Sequence, residues 1–340
     1  MLPWQVLDWQ NLAERFAQLP HALLLQAAPG TGEIAFARHL ARALLCEQPQ
    51  ADRQPCGVCP ACQWLAHGNH PDFRSVCPEA LADAPPGAEP EGNGDKKTKT
   101  PSKEIRIEQI RELLDFANLG SHRQGRRVVL LYPAEALNPH AANALLKTLE
   151  EPPADVVFIL VTTQIDRLLP TILSRCQRIV LTRPDPAAAG AWLAAEGGLD
   201  AAASAELLAE AGGAPLQALI LAQQDERAWR DWLLTQLAAG PACDALGCAE
   251  QLHKGNLPGV LDTLQRWCFD LLAARMTQRP RFYPARAKEL AACGRHTDDV
   301  RLLGFLREIG AQRAVQNHPL NTRVLLESLF LQYRNLFDLA

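Results

Sequence analysis

The chain lacks any apolar run approaching the roughly 18 residues that a membrane-spanning helix requires, so no span is expected. It lacks a basic excess. The formal net charge of -4 argues against an autonomous nucleic-acid binder and leaves room only for a local basic face. No secretory leader is expected: Met1 to Phe16 carries Pro3, Asp8, Glu14 and Arg15 and has no apolar core. A cytoplasmic location is therefore expected, and in a chain without an export signal ten cysteines point to metal before disulfides. The fourth thing missing is a lysine, at the point around which the N-terminal half is organised.

That point is Gln26-Ala-Ala-Pro-Gly-Thr-Gly-Glu-Ile34, between a strand-like run (Ala22–Leu25) and an amphipathic helical run. It has the outline of a phosphate-binding loop, G-x-x-x-x-G-K-[ST]. Aligned on Gly32, with Gly30 before it, Ala27 stands for the first glycine, Glu33 for the lysine and Ile34 for the hydroxyl residue. The lysine supplies charge to the β- and γ-phosphates and the hydroxyl holds Mg²⁺. Glu33 instead puts a carboxylate beside a polyanion, so no bound ATP is expected. The second nucleotide motif is altered as well. After the strand Val128–Leu131, Tyr132 and Pro133 stand where an Mg²⁺-binding Asp and a water-activating Glu belong. Glu135 reads either as a displaced base or as a solvated or capping carboxylate.

With 340 residues, 48% hydrophobic and 21% charged, the chain has the composition of an ordinary soluble protein of two or three domains. Residues 1–182 alternate apolar runs (Ala22–Leu25, Phe73–Val76, Val128–Leu131, Val156–Thr162, Ile179–Leu181) with helical patterns. This predicts an α/β domain with a parallel sheet covered on both faces. One helix should start at the N-cap Asn138 with Pro139 in its first turn and stop at Pro152-Pro153. Residues 183–224 are alanine-rich and predict a small helical domain, and 225–340 predict an all-helical one. Residues 78–103, rich in Pro, Gly, Glu and Lys, read as a flexible insertion.

Cys46, Cys56, Cys59 and Cys62 form C-x₉-C-x₂-C-x₂-C, the spacing of a closed tetrahedral zinc site with a structural role. The competing readings are an iron–sulfur cluster, which lacks its usual downstream ligand, and unligated or redox thiols. Basic residues cluster at Lys103, Arg106 and Arg111 and at Arg123, Arg126 and Arg127. Interleaved glutamates make a solvated face one reading of these, and phosphate contact the other.

Asn143-Ala-Leu-Leu-Lys-Thr-Leu-Glu-Glu-Pro-Pro153, Phe158-Ile-Leu-Val-Thr-Thr163 and Leu173-Ser-Arg-Cys176 closely resemble the bacterial clamp-loader family of AAA+ proteins, as does the four-cysteine module after the first loop helix. The resemblance is specific over residues 1–182 and weaker beyond. It implies a P-loop-type AAA+ domain with an inserted zinc module, a small helical lid and a C-terminal helical collar. Arg175 would be an arginine finger acting in trans on a neighbouring motor ATPase, in a subunit that hydrolyses nothing itself. The sensor arginine of the lid is replaced by Leu216. The DNA-facing helix would fall at Ile105–Asp115, making Arg106 and Arg111 phosphate-contact candidates. The implied partners are gamma/tau motor subunits, the delta subunit, the sliding clamp and primer–template DNA, within the DNA polymerase III holoenzyme. No polymerase carboxylate constellation is present. The rival readings are an active AAA+ ATPase with a divergent loop and a zinc-dependent nucleic-acid module.

Overall fold

The computed structural model describes residues 1–81, 101–118, 125–315 and 321–337. Most of the expected insertion 78–103, and Arg123, lie outside the described residues. The chain forms two compact units, Met1–Pro184 and Asp185–Ala340.

The first unit is built on five strands: β1 (Ala22–Gln26), β2 (Phe73–Val76), β3 (Arg127–Leu131), β4 (Val156–Thr162) and β5 (Gln177–Val180). They pair in parallel in the order β2-β3-β4-β1-β5. Helix α1 (Val6–Ala13) precedes β1; parallel strands need crossovers, and α2 (Glu33–Leu45), α3 (Pro60–Ala66), α4 (Ile107–Asn118), α5 (Pro139–Glu150) and the short α6 (Pro170–Leu173) supply them. The side-chain period of two divides the sheet cleanly. Leu23, Leu25, Val128, Leu130, Ile159 and Val161 face a core with Trp9, Phe36 and Leu40 of α1 and α2. Leu24, Val129, Leu131, Phe158 and Leu160 face the opposite core with Ile110, Leu113, Leu145 and Leu149 of α4 and α5. Burying each such side chain contributes about 1.5–3 kcal/mol before entropy is counted. The sheet is thus covered on both faces, as the continuous apolar runs require.

Strand boundaries shift where polar residues enter the ladder. β3 begins at Arg127, whose side chain is 2% exposed. Its Nη1 donates to the Phe116 carbonyl at 2.6 Å, and Nε lies 3.7 Å from the Asp72 carboxylate. Arg127 is a buried tie between β3 and the end of α4, not a phosphate contact. β5 begins at Gln177 and ends at Val180, although Leu181 still donates its N–H to the Gln26 carbonyl at 2.8 Å. Thr182 then bonds Asp8 through its N–H (2.9 Å) and hydroxyl (2.7 Å), fastening the chain leaving β5 to α1. The two ends of the 78–103 segment meet: Glu79 accepts the Ser102 N–H at 2.9 Å, and the Ala80 N–H donates to the Ser102 carbonyl.

The second unit is helical: α7 (Pro186–Gly197), α8 (Ala201–Glu210), α9 (Pro215–Leu221), α10 (Gln224–Ala238), α11 (Ala245–Leu252), α12 (Leu257–Met276), α13 (Ala287–Gly294), α14 (Asp299–Val315) and α15 (Thr322–Arg334). It has two apolar cores, one from α7–α9 and a larger one from α10–α15. A polar thread runs through the larger core. The Trp267 indole N–H donates to the Tyr333 hydroxyl (2.8 Å), which donates to the Leu237 carbonyl (2.6 Å). Asp270, fully buried, accepts the N–H groups of Arg281, Phe282 and Tyr283 at 2.7–2.8 Å and so fixes the loop before α13. A buried Arg230–Glu210 pair (2.9 Å) joins α10 to α8.

Asn138 caps α5 as its sequence predicts, its Oδ1 accepting the Ala141 N–H at 2.8 Å ahead of Pro139. Removing that acceptor leaves a helix-end donor unpaired. Asn138→Ala should lower unfolding free energy by about 1 kcal/mol in urea titration, with an unchanged m-value.

Candidate functional site

In an open parallel sheet, ligands bind beyond the C-terminal strand ends. Here those ends carry the loop Ala27–Gly32 after β1, Tyr132–Asn138 after β3 and Thr163–Leu169 after β4. The loop keeps its shape. Gly30 (φ 72°) and Gly32 (φ 91°) are left-handed, and Gly32 is the N-cap of α2. Trp4 Nε1 donates to the Thr31 carbonyl (2.8 Å), and Gln5 Nε2 donates to the Gly32 carbonyl (2.8 Å). A Cβ on Gly32 would sit 2.2 Å from Leu2 Cδ1 and 2.9 Å from Gln5 Nε2. The chain's own Leu2–Gln5 turn is packed onto the loop.

Beside it lies a cavity of about 540 Å³ lined by Glu33, Glu104 and Glu135 and by Lys103 and Arg167, among others. Glu33 opens α2 where a phosphate-binding lysine would stand, and its Oε2 is buried without a hydrogen-bond partner. Tyr132, 6% exposed, replaces the metal-binding acid. Its hydroxyl accepts from Arg38 Nη2 at 3.0 Å, and burial raises its pKa above the ordinary tyrosine value. Glu135 is committed elsewhere: Oε1 accepts both the N–H (3.1 Å) and the hydroxyl (2.7 Å) of Thr163. It ties the β3 exit to the β4 exit, which is the capping alternative of the sequence reading. Three carboxylates and two cations thus face one cavity.

Arg175 lies between α6 and β5. Its Nη2 and Nε reach Glu150 Oε2 (2.8 and 3.3 Å), and Nη1 donates to the Thr171 carbonyl (3.1 Å). The guanidinium side chain is 29% exposed and Glu150 is 61% exposed, so the pair is worth little in stability and separable at low cost. The fold thereby unites two sequence motifs, Leu149-Glu-Glu-Pro152 and Ser174-Arg-Cys176. The neighbouring Cys176 is half-buried against the core, and burial pushes its pKa up to about 11. Leu216 is the second residue of α9 and half-buried.

The four cysteines converge. Their Sγ atoms all lie within 4.8 Å of one another, and Cys46 and Cys59 are 3.9 Å apart. Four thiolates at about 2.3 Å from one ion would be about 3.8 Å apart, so the set can hold a tetrahedral metal ion. The fold supports it with backbone donors: the Cys56 N–H points to Cys46 Sγ and the Cys59 N–H to Cys56 Sγ, both at 3.3 Å. Gly57 (φ 75°) permits the turn between them. Hydrogen bonds from the Val58 and Cys59 backbone pull the Cys56 thiol down to about 6, while burial pushes Cys62 up to about 12. A cation is what would bring all four to the thiolate form.

Arg106 precedes α4 rather than lying on it, because Ile105 is bridged to Leu137 and the helix starts at Ile107. Arg106 lies 3.5 Å from Glu79, both half-exposed. Arg111 is exposed on α4 and makes no ion pair among the described residues. Sequence reasoning missed Glu150, Arg38 and Leu2–Gln5. Glu150 stood inside a recognised motif, but nothing local marked the other two.

The sheet order and the glycine loop opening α2 define a P-loop-type AAA+ domain, here carrying a four-thiolate module. The family described as "DNA polymerase III, delta subunit" matches residues 5–185. The chain is 37% identical over 347 residues to DNA polymerase III subunit delta' of Pseudomonas aeruginosa, covering 98% of this chain and 97% of the relative. It is 32% identical to the Escherichia coli subunit delta', covering 97% of this chain and 94% of the relative. Over 49% of its length it is also 34% identical to Escherichia coli subunit tau, covering 22% of that protein. The chain belongs to the DNA polymerase III delta' family.

Metal analysis of the purified chain should find one ion per chain, lost on acidification as thiolates protonate. Cys59→Ser should abolish it and lower Tm, and metal should not restore the variant.

Proposed function

We propose that this chain is a non-hydrolysing subunit of the bacterial sliding-clamp loader, acting in DNA replication by presenting Arg175 to the nucleotide of a neighbouring motor subunit. The observation that carries the reading is the contrast between two sites in one domain. The loop that would cradle phosphates has its Thr31 and Gly32 carbonyls held by Trp4 and Gln5 and opens its helix on Glu33, whereas Arg175 is held by one exposed carboxylate, one carbonyl and the Ser174 hydroxyl. An incoming γ-phosphate offers a guanidinium a stronger partner than Glu150 does. A trans arginine is worth about 10³–10⁵ in rate in related phosphoryl transfers. That gain explains why a domain unable to use ATP retains the ATPase shape.

In this reading residues 1–182 form the AAA+ domain, 183–224 the lid and 225–340 the collar that joins the ring. The chain partners gamma or tau motor subunits and the delta subunit, and it meets the clamp and primed DNA through the complex. Arg106 and Arg111 contact phosphates at the α4 end. Zinc fills the Cys46, Cys56, Cys59 and Cys62 site as a structural ion. The complex works in the cytoplasm.

In the reconstituted loader, Arg175→Ala should cut DNA-stimulated ATPase by the contribution of the site it completes. The ring should still assemble on gel filtration. The isolated chain should show no ATP binding by equilibrium dialysis. Full ATPase in the variant, or micromolar ATP affinity in the isolated chain, would sink the proposal.

A further inference from the structure

We propose that the face formed by the end of α12, the loop after it and α13 is a docking surface for single-stranded DNA. The chain as a whole is acidic, yet Arg275 to Lys288 contains five cations and no carboxylate. Arg279, Arg281 and Lys288, with Arg295 about two helical turns beyond Lys288, are all exposed. None of these four makes an ion pair among the described residues, which pair Arg275 with Asp299 and Arg286 with Glu289. Unneutralised cations held close together repel one another, and a polyanion relieves that repulsion.

The surface has a fixed form. Arg275 is held by Asp299 and by the Gly294 and Thr297 carbonyls, each at 2.6 Å, and forms a rigid wall. The loop is pinned from beneath by Asp270, which takes three consecutive N–H groups. Between α12 and α13 runs a groove of about 630 Å³ lined by Arg275, Met276, Pro280, Ala291 and Arg295, with Asp299 the one carboxylate in the lining and taken up by Arg275. On α13, Lys288, Ala291 and Arg295 share one exposed face at helical spacing, so small side chains separate two cations.

Aromatic planes adjoin the cations. Phe269 is 41% exposed and meets Phe282 edge-on at 5.6 Å. The guanidinium groups of Arg281 and Arg266 lie 5.3 and 5.8 Å from the Phe282 ring. Cations that track a backbone beside aromatic faces that accept unstacked bases are the two components of single-strand binding. A duplex, whose bases are already stacked, leaves Phe269 unused. The choice of DNA over RNA rests on the family's place in replication; the surface itself does not depend on Arg175 or on ring assembly.

The test uses the full-length chain and a labelled oligothymidylate of about 16 nucleotides, followed by anisotropy across a salt series. Binding should weaken with salt. Arg279→Glu, Lys288→Glu and Arg295→Glu together should reduce affinity at least about tenfold and flatten the log–log salt slope by about 2. Phe269→Ala should reduce affinity by about tenfold with the slope unchanged. Circular dichroism melting confirms that each variant is folded. Arg106→Ala with Arg111→Ala, run in parallel, should leave most of the binding. The proposal is overturned by absence of binding in the parent, by a folded triple variant that binds as well as the parent, or by loss confined to the Arg106/Arg111 variant. Tighter binding of oligouridylate or of polyglutamate than of oligothymidylate would also overturn it, reassigning the face to RNA or to an acidic peptide.

Discussion

Every working part of the first unit hangs on β1, five residues hydrogen-bonded to β4 on one edge and β5 on the other. Its side chains are buried on both faces, so it can neither slide nor turn without emptying two cores. The loop Ala27–Gly32 therefore leaves the sheet at a fixed place and angle. A functional nucleotide site uses such a loop by pointing N–H groups at phosphates. In this chain the loop's carbonyls are instead capped by Trp4 and Gln5, and its first helical residue is an acid. The same rigidity that serves catalysis in an ATPase serves here to place the neighbouring strand ends.

Arg175 benefits from that rigidity. It stands just before β5, the edge strand anchored to β1 and fastened at its exit by Asp8. Its bonds to Glu150 and the Thr171 carbonyl orient the guanidinium without burying it. A long cationic side chain held in one orientation beforehand has less rotameric freedom left to lose if a partner takes it up. The four-thiolate module plays a comparable part on the α2 side. It is too small to have an apolar core of its own, so a bound ion would be what holds its turn.

Much of the fold was legible because buried parallel strands are apolar throughout. Val156–Thr162 matches its expected limits for that reason, whereas the edge strand Phe73–Val76 matches although Arg74 and Ser75 are exposed, and Asn138-Pro139 opened α5 as its chemistry demands. The mismatches have one cause in common. Arg127 opens β3, a position a hydrophobic pattern does not credit, because its charge is buried against Asp72 and a carbonyl. The expected DNA-facing helix began two residues early because Ile105 is bridged to Leu137 instead. In each case a distant partner overrides the local preference.

The sequence by itself determined which chemistry is absent and which is present: no phosphate lysine, no Mg²⁺ acid, four thiols at metal spacing and an arginine in a recognisable triplet. Those are properties of residue identity and short spacing. Only the tertiary structure decided that Trp4 and Gln5 hold the carbonyls of the glycine loop, that Tyr132 is answered by Arg38, that Glu150 holds Arg175, and that Arg275 and Arg295 line one groove between α12 and α13. These contacts join residues 25 or more positions apart, or sites brought side by side by helix packing. Sequence spacing cannot encode them, because the distance between such groups is fixed only when the cores close.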